Sequence, residues 1–133
     1  MIAMKQRYTP LLVLLLMLPA ICHAGPIEKI TDLLKQGNTH ELAKYFAANV
    51  DMAVLENTNV YSATQSELIL EKFFKENKPT GAKIFHRVSS NANYQFGVVI
   101  LTTDKGKFRV SFTLKEVGAE TTIIELRIET EKT

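Results

Sequence analysis

The sequence predicts an α+β domain: an antiparallel sheet with three helices packed on one side. Three observations lead there. Four stretches after Gly81 alternate apolar and polar residues with period two, and three earlier stretches repeat apolar residues at helical spacing. Each late strand has one greasy and one mostly polar face, so a single covering layer suffices. Finally, 133 residues with 46% hydrophobic and 23% charged side chains fit one globular domain and exclude a multidomain enzyme.

Residues 1–24 read as an export signal rather than as fold. Lys5 and Arg7 form a basic start, and the apolar run from Leu11 to Ile21 is about half the ~20 residues of a membrane-spanning helix. Cys22-His23-Ala24 then places small residues three before and immediately before a cut between Ala24 and Gly25. Ile21 and Pro19 stand where a lipoprotein signal wants a small and an aliphatic residue, which favours cleavage over acylation of Cys22. The expected mature chain, 25–133, is one domain of 133 − 24 = 109 residues, exported through the inner membrane to the periplasm or beyond and free of the membrane after the cut. Its formal charge is 14 − 14 = 0, because the signal carries two of the 16 basic groups and no acid. A nucleic-acid partner is therefore not expected. No cysteine survives, so thiol catalysis and cysteine-based metal sites are excluded and stability must come from the apolar core.

The elements follow in order. Ile27, Ile30, Leu33 and Leu34 recur at helical spacing behind Pro26, and Gly37 supplies a left-handed stop. Asn38 caps a second helix with Glu41 in the capping-box position, and Leu42, Tyr45 and Phe46 share its apolar face. Residues 49–55 form a strand, Glu56-Asn57 a turn, and 58–61 a short return strand. Ser62, with Gln65 three residues on, caps a third helix whose stripe is Ile69, Leu70, Phe73 and Phe74. The run from Asn77 to Gly81 ends it.

Four strands complete the chain: 83–89, 94–103, 107–115 and 121–130. Their breaks at 90–93, 104–106 and 118–120 are short enough for antiparallel hairpins. Gly97, Gly106 and Gly118 read as bulge or hairpin glycines. In the third of these strands Phe108, Val110, Phe112 and Leu114 face one way. In the fourth, Thr122, Ile124, Leu126 and Ile128 oppose Ile123, Glu125, Arg127 and Glu129, and Glu125 is placed to pair with Arg109.

This order of elements resembles the nuclear transport factor 2-like architecture, a curved sheet wrapped around helices in a cystatin-like roll. Individual stretches resemble the domain-of-unknown-function 4783 family: Gly37-Asn38 before 42–46, Val60-Tyr61-Ser62 leading into 70–74, then 101–103, 108–110 and 124–129. They cover most of the mature domain but are packing and turn signatures. The resemblance implies the fold and export, and a pocket between the concave sheet face and the helices. Some relatives with such a pocket are isomerases or dehydratases.

An acid–base enzyme needs ionisable groups interrupting the apolar lining. His86 shares a strand phase with Ile84 and Val88 and is the strongest candidate, with Tyr45 and Tyr61 able to bring phenols to the rim. In the opposite register Phe85 faces inward and His86 outward. Phe74, Phe108 and Phe112 complete the expected pocket lining. His40 and His86 are the only mature histidines and have no zinc-motif spacing; neither a nucleotide-binding loop nor a nucleophile elbow occurs, so no cofactor or metal is expected. Val99, Leu101 and Ile123 are expected on the polar face as a small homodimer patch. The leading expectation is a non-enzymatic module binding a small apolar ligand or a protein. The alternatives are an isomerase- or lyase-like enzyme using His86 with a tyrosine, and a structural homodimer.

Overall fold

The structure, a computed structural model, describes residues 25–90 and 93–132. The expected export signal, Ala24 of the cleavage pair, and Asn91 and Ala92 of the first hairpin lie outside the described residues. Helix α1 spans Pro26–Gln36, α2 Thr39–Ala43 and α3 Ala63–Glu76. The strands are β1 Phe46–Val54, β2 Asn57–Ser62, β3 Pro79–Ser89, β4 Tyr94–Thr103, β5 Gly106–Val117 and β6 Glu120–Thr130. They form one curved six-stranded sheet in the order β2-β1-β6-β5-β4-β3. Neighbours run antiparallel except β1 and β6, which are parallel and join the N-terminal hairpin to the C-terminal meander. Among the described residues no helix is long and apolar enough to cross a membrane.

Local signals set the helix ends. Gly37 adopts φ 64°, and the N–H groups of Gly37 and Asn38 donate to the Leu34 and Leu33 carbonyls, closing α1 in a Schellman arrangement. The Asn38 side chain accepts from the Glu41 N–H to start α2. Ser62 and Gln65 form a complete capping box on α3. The second helix stops at Ala43, earlier than its apolar spacing suggests. Phe46 opens β1, and the Tyr45 carbonyl accepts the Ile123 N–H at 2.6 Å, so sheet pairing replaces helical bonding there.

The helices cover one face of the sheet: α1 lies on β3 and β4, and α3 on β1 and β2. The core between them draws Ile30 and Leu34 from α1, Leu42 from α2, Leu70, Phe73 and Phe74 from α3, and inward residues of β1, β4, β5 and β6. Phe73 meets Phe74 and Phe108 edge-to-face, at centroid distances of 5.5 and 5.0 Å.

Two bulges decide which residues face outward. In β3, Ile84 pairs with Val99 and His86 with Val98, leaving Phe85 as the extra residue. In β6, Ile123 pairs with Leu114 and Glu125 with Thr113, leaving Ile124 extra. Each bulge reverses the alternation once. As a result Ile123 joins Leu126 and Ile128 in the core, where strict alternation places Ile124.

Candidate functional site

The space between sheet and helices, where the pocket is expected, is filled by side chains. Phe112 is fully buried in it, and Phe74 and Phe108 are buried core residues rather than walls of a hollow. Gly97 lies mid-strand, not in a bulge or hairpin, because Phe112 and α1 press on it. A Cβ there would stand 2.9 Å from Phe112 Cζ and 3.2 Å from Ile27 Cγ2. The glycine lets the ring lie against β4, and that contact closes the concavity.

The other expected site residues also move. His86 is exposed on the face away from the helices, opposite Val98; the bulge puts Phe85 outward as well, 62% exposed. Neither sequence register anticipates this. Tyr45 and Tyr61 are half-buried and pack on the core from the helix side. His86 and these phenols therefore lie on opposite sides of the sheet, and the proton-transfer couple does not form. Val99, Leu101 and Ile123, the expected dimer patch, are 0% exposed core residues: β4 turns its odd positions to the helices and the β6 bulge turns Ile123 in. Glu125 accepts from Thr113 Oγ1 at 3.4 Å, while Arg109 donates through Nε to Glu131 at 3.1 Å, so the expected Arg109–Glu125 pair is replaced. Among the described residues no group of His, Cys, Asp and Glu could hold a metal ion.

An open groove of about 610 Å³ lies elsewhere, between the β1–β2 turn, the C-terminal half of α3 and the end of β6. That volume is within the ~300–1,000 Å³ of ordinary small-molecule sites. Val54, Phe73 and Ile128 make its floor with buried side chains, and Leu55 and the half-buried Ile69 form more accessible walls. Glu56, Lys72 and Glu76 stand around the rim, while Glu129 borders it through the β6 backbone and shares the other sheet face with its cross-strand partner Arg109. Leu55 is the first residue of the two-residue turn closed by the Val54–Asn57 pair, and its φ of 56° is a conformation that favours glycine. Its N–H donates to the Ile128 carbonyl at 3.0 Å, which ties the turn to β6 and holds a 47% exposed leucine at the lip. Sequence reasoning finds the turn at Glu56-Asn57 but not this groove, because its three walls meet only through the parallel β1–β6 pairing.

A second surface feature lies on the face of the sheet away from the helices. Phe85 and Val88 of β3 and Phe96, Val98 and Ile100 of β4 share that face by register. The Arg109 guanidinium lies over the Phe85 ring, 5.3 Å from its centroid.

A six-stranded curved sheet wrapped on three helices defines an α+β roll of the nuclear transport factor 2-like, cystatin-like class. The likeness extends to a de novo designed protein with a curved β-sheet, at a TM-score of 0.62 and 15% identity over 77% of this chain and 94% of that one. The chain belongs to the DUF4783 family, described as a domain of unknown function, whose family model matches residues 27–129. It is similar to crystal structures of DUF4783 proteins from Bacteroides uniformis (TM-score 0.75, 25% identity, 82% of this chain and 100% of that one) and Bacteroides ovatus (TM-score 0.73, 25% identity, 78% and 94%). A search of the curated proteins finds no match.

Proposed function

We propose that this protein is an exported, non-enzymatic binding module that takes a small apolar ligand in the groove between the β1–β2 turn, α3 and β6. The observation that carries the reading is the lip. A non-glycine residue held at φ 56° costs about 1–2 kcal/mol, yet here it keeps a leucine exposed beside an apolar floor. The groove also offers volume that the filled concave face lacks. Binding of a neutral apolar dye such as Nile red, followed by fluorescence, tests it. Ile69→Lys places a charge in the wall and should abolish binding while leaving the fold intact; undiminished dye binding by that variant counts against the groove. Export rests on the signal-like segment 1–24, and mass analysis of the extracytoplasmic protein should find a chain starting at Gly25.

The outer apolar face supports a second reading, a homodimer with β3 and β4 at its centre. Phe85, Val88 and Tyr94 are 62%, 46% and 40% exposed, which gives this face the aromatic character of an interface core. Sedimentation of the protein and of Phe85→Glu distinguishes the two; a monomer at high concentration removes this reading.

A further inference from the structure

We infer that the occupant of the groove is a short apolar peptide in extended form, added as a strand beside the end of β6. This rests on the groove being the binding site. The parallel β1–β6 pairing ends at Val54 and Ile128, whereas β6 stays paired to β5 as far as Thr130, opposite Phe108. Peptide groups along a strand point alternately to its two neighbours. The Ile128 carbonyl accepts the Leu55 N–H on the β1 side, and the Glu131 N–H donates to the Lys107 carbonyl on the β5 side. Thr130, two residues beyond Ile128, therefore turns its N–H and C=O to the β1 side. That lane is vacant, because Leu55 at φ 56° has already turned the chain away into β2. Thr130 lines the groove, and among the described residues neither of these groups has a partner. A donor and an acceptor on one residue, held in place by β5, match one residue of an extended peptide, which exchanges both bonds with it. A plain hydrocarbon chain leaves both groups unmatched. Side chains on such a strand alternate, so every second one would meet the floor of Val54, Phe73 and Ile128. Asn57 shares the groove face with its hairpin partner Val54, and its carboxamide offers a neutral donor and acceptor to a further peptide group. Thr130 is exposed, so each bond replaces one to water and its gain is modest.

The test uses the neutral peptide acetyl-Leu-Val-Leu-amide and its ester analogues, each with one residue's backbone N–H replaced by oxygen. Calorimetry compares them with decyl maltoside, below its micelle concentration, on the protein and on Ile69→Lys, Thr130→Val and Thr130→Pro. Proline removes the N–H without breaking a sheet bond, while valine keeps it and removes only the hydroxyl. One ester analogue should bind roughly tenfold more weakly than the peptide, because it presents no donor to the Thr130 carbonyl. Thr130→Pro should weaken the peptide by roughly the same factor and leave decyl maltoside unchanged, and Thr130→Val should bind both normally. Should Thr130→Pro fail to fold, the ester series on the unaltered protein decides alone. If every ester analogue binds as tightly as the peptide, or decyl maltoside binds and the peptide does not, the strand-addition inference is overturned while the groove reading stands. If no probe binds, or Ile69→Lys binds them all unchanged, both fall.

Discussion

Phe112 and Gly97 face each other across β4 and β5, and their contact closes the concave side of the sheet. A double-mutant cycle on this pair measures how firmly. Gly97→Ala alone adds a methyl where Phe112 Cζ lies 2.9 Å away and Ile27 Cγ2 3.2 Å away. Forcing a methyl into a packed core costs about 1–3 kcal/mol. Phe112→Ala alone removes a fully buried ring. Withdrawing ~150 Å² of apolar surface at ~25 cal/mol per Å² costs about 4 kcal/mol, inside the ~3–5 kcal/mol range of buried Phe→Ala changes. In the double variant the new methyl enters the space the ring leaves. Most of its cost should vanish, leaving only what the 3.2 Å approach to Ile27 Cγ2 still imposes. The expected coupling is therefore about 1–3 kcal/mol, in the direction of rescue. Urea denaturation of the four proteins reads it directly. Costs that simply add, to within about 0.5 kcal/mol, would mean that the ring does not press on β4 and that the concave face is not closed as described.

Three further outcomes follow from single side chains. Leu55→Gly relieves the positive φ, so the melting temperature should hold or rise while Nile red binding weakens with loss of the lip; a lower melting temperature would show that the leucine is not strained. The Ser66 hydroxyl is fully buried and, among the described residues, has no hydrogen-bond partner, so Ser66→Ala should stabilise the protein by about 1 kcal/mol in urea denaturation, and a loss of stability would reveal a partner. At Glu28, burial is the largest single influence and raises the carboxyl pKa, but hydrogen bonds from its own and the Gly25 backbone N–H groups and the Arg87 guanidinium together bring it below its ordinary 4.5. A lowered folded value contributes stability above the unfolded pKa and loses it as pH falls through the folded one. The melting-temperature gap between the protein and Glu28→Gln should then close as the pH falls from above 4.5 through the lowered folded value, and a constant gap would contradict the assignment.

Local rules were enough for most of the fold. Ser62 with Gln65, Asn38 and Gly37 mark helix ends that the structure reproduces, and β4 runs from Tyr94 to Thr103 as its alternation predicts. What local rules miss is set by contacts between distant segments. The Tyr45 carbonyl turns from its helix to pair with Ile123, and β1 joins β6 in parallel. The bulges at Phe85 and Ile124 each shift the alternation by one residue, which sends His86 outward and Ile123 inward. A single inserted residue leaves no compositional mark, so period-two reasoning assigns the wrong face beyond it. The same limit hides the groove: Leu55, Ile69 and Ile128 are far apart in sequence, and only the sheet order brings them together.

Methyl-resolved NMR of the protein titrated with the neutral amphiphile decyl maltoside, kept below its micelle concentration, tests the groove most directly. Leu55, Ile69 and Ile128 methyl signals should shift in step with one saturable binding curve, while those of Val88 and Ile100 on the opposite sheet face stay still. Shifts confined to Val88 and Ile100, or spread through Leu34 and Leu114 of the core, would place the ligand elsewhere and contradict the account.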